Sequence, residues 1–389
     1  MGISIGLVGL GSFGSSFARL FKSHPRVDRV GLCDREPQRV RKFADDPFFA
    51  DKFRPADAYG TLEEMLAADF DAVAIITQPW LHAPQCVAAM EAGKHVYSAV
   101  PIISLPDGNE ILDWCNRLVE TCRRTGLHYM LGETTFYRPE AMYSRRRAAE
   151  GAFGAFVYAE GEYLHPFNSP GCDLRQVQRS RTASASGREW LAAARGYADH
   201  GVRSGPMHYP THSTSGPICV MDAHALKVCA WGYGPVSDDP YFADSSSSNE
   251  TALFHMSNDA TMRICESREL GHPGREMFRV YGTEGSFEHG AWLTRSERTP
   301  LTAEQMRDPL PPDVLAAFSQ AVGQDVYGGH GGSHAYLVHE FVEAVADDRT
   351  PAINVWEAAR YMAPGVMAHQ SALKDGEVLD VPDWGDAPK

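Results

Sequence analysis

The chain has 389 residues, 43% of them hydrophobic, and a formal net charge of −14 at pH 7. That is enough chain for two domains with full cores, and its composition is that of a globular and not a disordered protein. The acidic balance argues against a nucleic-acid surface or an anionic membrane partner, and no apolar run reaches the length of a membrane span.

Ile3 to Val8 reads as a short buried strand, and Gly9-Leu10-Gly11-Ser12-Phe13-Gly14 follows at once. Ser15 to Lys22 then reads as a helix with Phe17, Leu20 and Phe21 on its apolar side, and Val30 to Cys33 as a second strand ending at Asp34. Glycine at these three positions allows a tight turn, lets the backbone approach a pyrophosphate and lets the helix pack on the strand. The helix N-terminus offers free N–H groups to the phosphates. Asp34 falls where an acid binds a ribose 2′-hydroxyl, which favours NAD over NADP; Arg35 beside it weakens that preference.

Strand and helix keep alternating. Residues 71–76 are a continuous apolar run, as in a parallel strand buried on both faces, and Thr77-Gln78-Pro79 ends it. A helix from His82 to Ala92, a strand from His95 to Ser98, a helix from Leu105 to Arg124 and a strand from Leu127 to Leu131 complete a doubly wound α/β layout. Residues 1–130 are thus expected to form a Rossmann dinucleotide-binding domain.

The character changes near residue 150. The segment 153–163 alternates like a strand, 171–205 reads as a loop-rich, arginine-rich stretch, and further strands are expected at 251–256, 260–266, 276–281 and 285–289. A glycine-rich turn at 326–332 leads into a helix from His334 to Ala346, and Val355 to Leu373 reads as a last helix. Residues 131–389 are expected to form an α+β domain around a large, open, mainly antiparallel sheet. The eight cysteines include no CxxC pair, and the N-terminal apolar stretch is used as a strand instead of a leader. Reduced thiols in a cytoplasmic protein are expected.

The fingerprint, Thr77-Gln78-Pro79-Trp80-Leu81-His82, and Glu91-Ala92-Gly93-Lys94-His95-Val96 together resemble the glucose–fructose oxidoreductase/inositol dehydrogenase/rhizopine-catabolism family. The resemblance spans nearly the whole chain. It implies NAD held by Gly9, Gly11, Ser12, Phe13, Gly14, Asp34, Arg35, Thr77, Gln78, Pro79, His82, Ser98, Val100 and Pro101. It also implies a second domain that binds a sugar and builds homo-oligomers, dimers or tetramers. Dehydrogenases of that family carry Glu-Lys-Pro after the GKHV stretch, whereas this chain has Ala99-Val100-Pro101. Val100 transfers no proton, which argues against a simple alcohol dehydrogenase.

Three other segments resemble a different branch, the NAD-dependent α-N-acetylgalactosaminidases and related redox glycosidases. They are Tyr209-Pro210-Thr211-His212, Gly161-Glu162-Tyr163-Leu164-His165 and Gly132-Glu133-Thr134-Thr135. After His212 that branch continues Gly-Leu-Gly-Pro, where this chain has Ser213-Thr214-Ser215-Gly216-Pro217. The resemblance implies hydrolysis of a sugar glycoside by transient oxidation at C3, elimination across C1 and C2, addition of water and re-reduction, with NAD recycled. Under it His212 takes the C3 hydroxyl proton, and Tyr163 is the base at C2, its pKa lowered by cationic neighbours. Tyr209 orients the reacting hydroxyl or assists at C2, and Glu133 assists the leaving group or the water. His165, Arg188, His208 and His334 are the expected substrate contacts, Arg188 from an arginine cluster suited to an anionic sugar. No metal is expected, because Pro210 lies between His208 and His212 and breaks a helical ligand pair. Two alternatives stay open: an NAD(P)-dependent sugar or polyol dehydrogenase using His212, and a non-catalytic NAD-binding sensor.

Overall fold

The computed structural model describes residues 2–234 and 237–388. Its first sheet is built from β1 (Ile3–Val8), β2 (Val27–Cys33), β3 (Phe53–Tyr59), β4 (Ala72–Ile75), β5 (His95–Ser98) and β6 (Tyr129–Leu131). All are parallel, in the order β3-β2-β1-β4-β5-β6. Helices α1 (Ser12–Ser23), α2 (Pro37–Ala44), α3 (Leu62–Ala67), α4 (His82–Glu91) and α5 (Gly108–Thr125) connect them. The apolar residues of β1 and β4 are buried because helices cover both faces. This is the expected Rossmann sheet with one strand added. β3 carries Arg54, Pro55 and Asp57, and it escapes a hydrophobic pattern because it is the edge strand, where proline and charge are tolerated.

The second half opens with α6 (Pro139–Ala149) and β7 (Phe156–Leu164), then a small hairpin of β8 (Asn168–Ser169) and β9 (Cys172–Asp173). Next come α7 (Leu174–Ala183), α8 (Ala185–Asp199), α9 (Thr211–Met221) and the strands β10 (Ala225–Tyr233), β11 (Asn249–Met256), β12 (Thr261–Ser267) and β13 (Arg275–Gly282). The short strands β14 (Ser286–Glu288), β15 (Ala291–Leu293) and β16 (Arg298–Pro300) follow. The chain closes with α10 (Ala303–Met306), α11 (Pro312–Val322), α12 (Gly329–Gly332), α13 (His334–Ala346), α14 (Val355–Ala372) and β17 (Leu379–Asp380). The nine-stranded sheet runs β16-β15-β14-β13-β7-β12-β11-β10-β17, and β7 and β12 are its one parallel pair among the described residues.

Two differences from the sequence reading have clear causes. The stretch 171–205 is mainly helical, not loop: α7 has no buried residue and α8 buries only Gly187, so neither shows the apolar stripe that marks a helix in sequence. Helix α9 was invisible for the opposite reason. It is buried almost all round and made of small and β-branched residues, so no face stands out.

The C-terminal helices return to the first domain. α11 and α13 pack on α1, and α14 packs on α5 and also on α9 and β10. His24, after α1, shares a 3.0 Å hydrogen bond with His339 of α13. The two sheets are therefore held together by a common layer, and the site lies where they meet.

Candidate active site

The site begins with the turn between β1 and α1. A Cβ on Gly14 would sit 2.0 Å from the Gly9 carbonyl oxygen, so only glycine lets α1 start this close to the strand. At Gly11 the nearest atom to an added Cβ is Arg39 Nη1 at 3.8 Å, which leaves the backbone open to a ligand. Gly11 caps α1 without a side-chain hydrogen bond, so the first N–H groups of the helix face that opening. Asp34 is buried: its carboxylate accepts from Leu10 N–H at 2.8 Å and from Glu36 N–H at 2.9 Å. It thus also holds the glycine turn in place. These features fit a dinucleotide pyrophosphate and ribose.

The other expected cofactor residues divide into wall and support. Thr77, Gln78 and Pro79 follow β4, and Ser98, Val100 and Pro101 follow β5, all at the carboxyl ends of the strands, where such sheets bind ligands. His82 is support. It is buried between the two loops, its Nδ1 2.8 Å from the Pro101 carbonyl and its Nε2 3.3 Å from the Thr77 carbonyl, and as a neutral ring it donates to one of them, the nearer Pro101 oxygen. Burial pulls its pKa down to about 4, which keeps it neutral.

Helix α8 crosses above this groove. Glu189 takes a two-pronged ion pair from Arg35, at 2.7 and 2.9 Å, on the β2 side. The next residue, Trp190, stacks on Trp80 beyond β4, with ring centroids 5.2 Å apart and planes 11° from parallel. Tyr197 donates to Glu110 at 2.5 Å. β2 and β4 flank β1, so adjacent residues of α8 span the glycine turn from both sides. Arg35 is therefore a clasp for this strap. The Trp–Trp contact is worth roughly 0.5–1.5 kcal/mol beyond its buried area. Trp190→Ala is expected to speed NAD dissociation by up to about tenfold, read from the fluorescence of nucleotide release after rapid dilution. An unchanged release rate would mean that α8 does not retain the nucleotide.

The chemistry-bearing residues gather beneath. Glu133 follows β6, Tyr163 and His165 end β7, and Tyr209 and His212 bracket the start of α9. A Cβ on Gly161 would lie 1.8 Å from the Ser213 carbonyl oxygen, so this glycine lets α9 press against β7. That approach brings the Tyr163 and His212 rings to 5.1 Å, with Tyr209 5.7 Å from His212. Tyr209 Oη donates to the Val100 carbonyl at 3.3 Å, so the tyrosine reaches the residue that replaces the family lysine.

His212 Nδ1–H donates to Glu133 Oε1 at 2.9 Å, and Glu276 lies 3.9 Å away. Burial, the largest single influence, disfavours the imidazolium, but the pull of Glu133 and Glu276 outweighs it and raises the pKa to about 9. Glu133 also feels burial first, yet the charge and hydrogen bonds around it hold it down to about 2. His212 is thus a charged group at neutral pH, where the sequence reading took it as a free base titrating near neutrality. Glu133 sits behind it, fully buried, its Oε1 shared with Thr135 N–H. It charges His212; the sequence reading had it assisting the leaving group. Glu133, His212 and Glu276 are close enough to enclose a cation, but Arg138 pairs with Glu276 at 2.6 Å and Thr135 Oγ1 donates to it at 2.5 Å. The cluster is neutralised from within.

Tyr163 shares a 2.7 Å hydrogen bond with His165 Nδ1. The sequence reading lowers the Tyr163 pKa through cationic neighbours. Such a neighbour exists: Arg268, buried and bridged to Glu266, has its guanidinium carbon 5.0 Å from the tyrosine ring centroid. Burial nevertheless wins, and the phenol is pushed well above its usual value. Burial, with Arg268 adding to it, holds His165 down to about 4, so the neutral ring is ready to accept a hydrogen bond. Nothing in the sequence marked Arg268 beyond a charged pair, Glu266 and Arg268, at the end of an alternating strand.

Three expected substrate contacts lie elsewhere. His208 Nδ1 bonds the Leu105 carbonyl at 3.0 Å, and its ring packs on His369 at 4.3 Å, facing α5 and α14. His334 packs on Phe17 at 4.4 Å and on Phe13, under the glycine turn. His330, 3.0 Å from His334, is the histidine that turns toward His212, with ring centroids 6.2 Å apart. Arg188 lies on the exposed surface of α8 and donates to the Ala183 carbonyl at 2.7 Å.

With this geometry in view, similarity to known proteins falls into two parts. Residues 3–133 match the family model for the oxidoreductase family with an NAD-binding Rossmann fold. Residues 248–387 match the model for the glycosyl hydrolase 109 C-terminal domain. A glycosyl hydrolase family 109 protein from Saccharopolyspora erythraea is 25% identical over 406 aligned residues, covering 98% of this chain and 83% of the other. One from Stenotrophomonas maltophilia is 25% identical, covering 98% and 89%. Among solved structures, an oxidoreductase domain protein from Kribbella flavida superposes with a TM-score of 0.73 at 17% identity, covering 98% and 100% of the two chains. A scyllo-inositol dehydrogenase from Lactobacillus casei with bound NAD(H) and scyllo-inositol gives 0.66 at 16%, covering 98% and 100%. These structures share the fold.

Proposed function

We propose that this chain, which joins a Gfo/Idh/MocA-type NAD-binding domain to a glycosyl hydrolase 109 C-terminal domain, is an NAD-dependent glycosidase. The observation that carries the reading is the clustering of Glu133, His212, Tyr163 and His165 beside the cofactor groove, with valine in place of the dehydrogenase lysine. Bound NAD supplies reversible hydride exchange at the sugar C3. The protein's own part is proton and charge management. Neutral His212, its basicity raised by Glu133, takes the C3 hydroxyl proton on oxidation of that carbon, and the resulting imidazolium then holds the C3 oxygen as negative charge builds there. The C2–H beside a C3 ketone is acidified, and Tyr163 Oη takes that proton while its own passes to His165 Nδ1. The C2–H electrons shift onto the C3 oxygen as an enolate, and their return expels the C1 substituent. Water adds at C1 with the proton returned to C2. Arg268 beneath the tyrosine ring offsets charge on its oxygen, and Tyr209 fixes the Val100 loop against the substrate. No pair of carboxylates at a fixed spacing is required.

The substrate in this reading is a neutral sugar glycoside. An anionic sugar is less favoured, because Arg188 is occupied by the Ala183 carbonyl and Arg268 by Glu266. Trp231, Tyr233 and Leu253 stand exposed on the open sheet and are the face through which a homo-oligomer would form. No helix of the described residues is long and apolar enough to cross a membrane.

One assay separates the readings. The protein is incubated with a panel of 4-nitrophenyl glycosides and NAD far below substrate concentration. Many nitrophenol molecules released per NAD, without accumulation of NADH, is the expected result. NADH formed in step with product would make the protein a dehydrogenase, and neither signal with NAD still bound would make it a sensor.

A further inference from the structure

Beyond the carboxyl end of β7 lies a cavity of about 630 Å³, walled by the segments 165–172 and 270–274. β7 and β12 run parallel with Tyr163 beside Glu266, so the loops that leave them open on the same side. His165 belongs to both places. It lines the cavity, and its Nδ1 bonds Tyr163 Oη at 2.7 Å. A sugar seated against Tyr163 therefore has this cavity next to its reacting end.

The walls have a definite chemistry. Pro166, Leu270 and Pro273 give flat apolar surface, and Asn168 and His272 supply polar edges. No Asp, Glu, Lys or Arg lines it. The volume falls in the range of small-molecule sites, which are mostly apolar with a few placed polar groups. A second sugar ring would call for a denser set of hydrogen-bonding and charged groups than these walls carry. Given the glycosidase reading, on which this step rests, we propose that the cavity is the leaving-group subsite. It takes a flat, mainly apolar aglycone such as an aryl ring with a polar substituent.

Cys172 provides the test. It lines the cavity and is exposed, whereas the other seven cysteines are buried or half-buried. The protein, loaded with NAD, is alkylated with N-ethylmaleimide, and its site of labelling is mapped by mass spectrometry. Two substrates with the same sugar are then compared, the 4-nitrophenyl glycoside and the glycosyl fluoride, whose leaving group needs no subsite. Alkylation of Cys172 is expected to lower kcat/KM for the nitrophenyl glycoside at least tenfold, mainly through KM, and to leave the fluoride within about twofold. The nitrophenyl glycoside is expected to slow labelling of Cys172, and Cys172→Ser to resist the reagent. Leu270→Ala is expected to raise KM for the nitrophenyl glycoside alone. Equal loss on both substrates, or no loss and no protection, overturns the proposal. Cleavage of neither substrate by unlabelled protein overturns the hydrolase reading itself, a result that the comparison keeps separate.

Discussion

Tyr163→Phe is expected to lower glycoside cleavage by about 100- to 10,000-fold, the usual worth of a positioned acid–base group. The substitution removes one oxygen and keeps the ring that packs 5.1 Å from His212. The lost hydrogen bond is the 2.7 Å contact to His165, a net cost of about 1 kcal/mol, so the fold and NAD binding should survive. Nitrophenol release measures the rate, and NAD titration checks the binding. A substrate carrying deuterium at C2 adds a readout that a structural role would not move. Wild-type protein should wash that deuterium into solvent, and the variant should retain it. Near wild-type cleavage by the variant would remove Tyr163 from the base role and, with it, the elimination mechanism drawn here.

Glu133→Gln should have the second largest effect, on both pH profile and stability. In the wild type, proton abstraction by His212 requires the neutral imidazole, whose pKa is raised to about 9, so kcat/KM for glycoside cleavage should climb with pH toward that value. Removing the Glu133 charge leaves burial, which disfavours the imidazolium, with Glu276 as the remaining acidic neighbour. The climb should then move to lower pH. Stability follows from the same pair. His212 has a raised folded pKa, so its contribution is full below its ordinary value of 6.5 and is lost as pH rises through about 9. Glu133 has a depressed one, so its contribution is full above 4.5 and is lost as pH falls toward about 2. These are two views of one interaction and count once. Breaking a buried pair costs roughly 3–5 kcal/mol, so the variant should melt markedly lower near pH 5–6 and show a flatter dependence at both ends. A variant with wild-type pH profile and melting curve would mean that Glu133 does not charge His212.

The two effects are linked by burial. Tyr163, His165 and Glu266 are each driven toward their neutral forms by removal from water, Glu266 up to about 7. His212 escapes this trend because two acids reach it. Positive charge beside the Tyr163 and His212 rings is therefore held by this imidazole, where the proposed chemistry develops negative oxygen, and by Arg268 below the tyrosine.

Much of this was legible in the sequence where a local rule ties residue type to backbone. Gly14 is glycine because a Cβ would strike the Gly9 carbonyl, and Asp34 lies at the end of the second strand because a βαβ unit fixes that distance. The alternation in β11 to β13 and the apolar run of β4 report burial on one face or two. Glu133, Tyr163, Tyr209 and His212 were named from short segments, and they do come together. Their electrical roles were not in those segments. The charge on His212 depends on Glu133, 79 positions away, and on Glu276, and the cation under Tyr163 comes from just past the end of the neighbouring strand β12. That His330 and not His334 turns toward His212, and that His208 faces Leu105 and His369, was not legible for a related reason. A histidine's type is local, but its direction is set by what packs around it.

The sequence by itself determined the nucleotide domain and the open second sheet, and it named the candidate residues that the fold gathers, because turns, caps and periodic burial are short-range constraints. Only the tertiary structure decided which of those residues are charged, which histidines face the site, and that α8 lies across the cofactor groove. Those outcomes depend on burial and on charges brought together from distant parts of the chain, and α8, which buries only Gly187, does not disclose its partners in its own pattern.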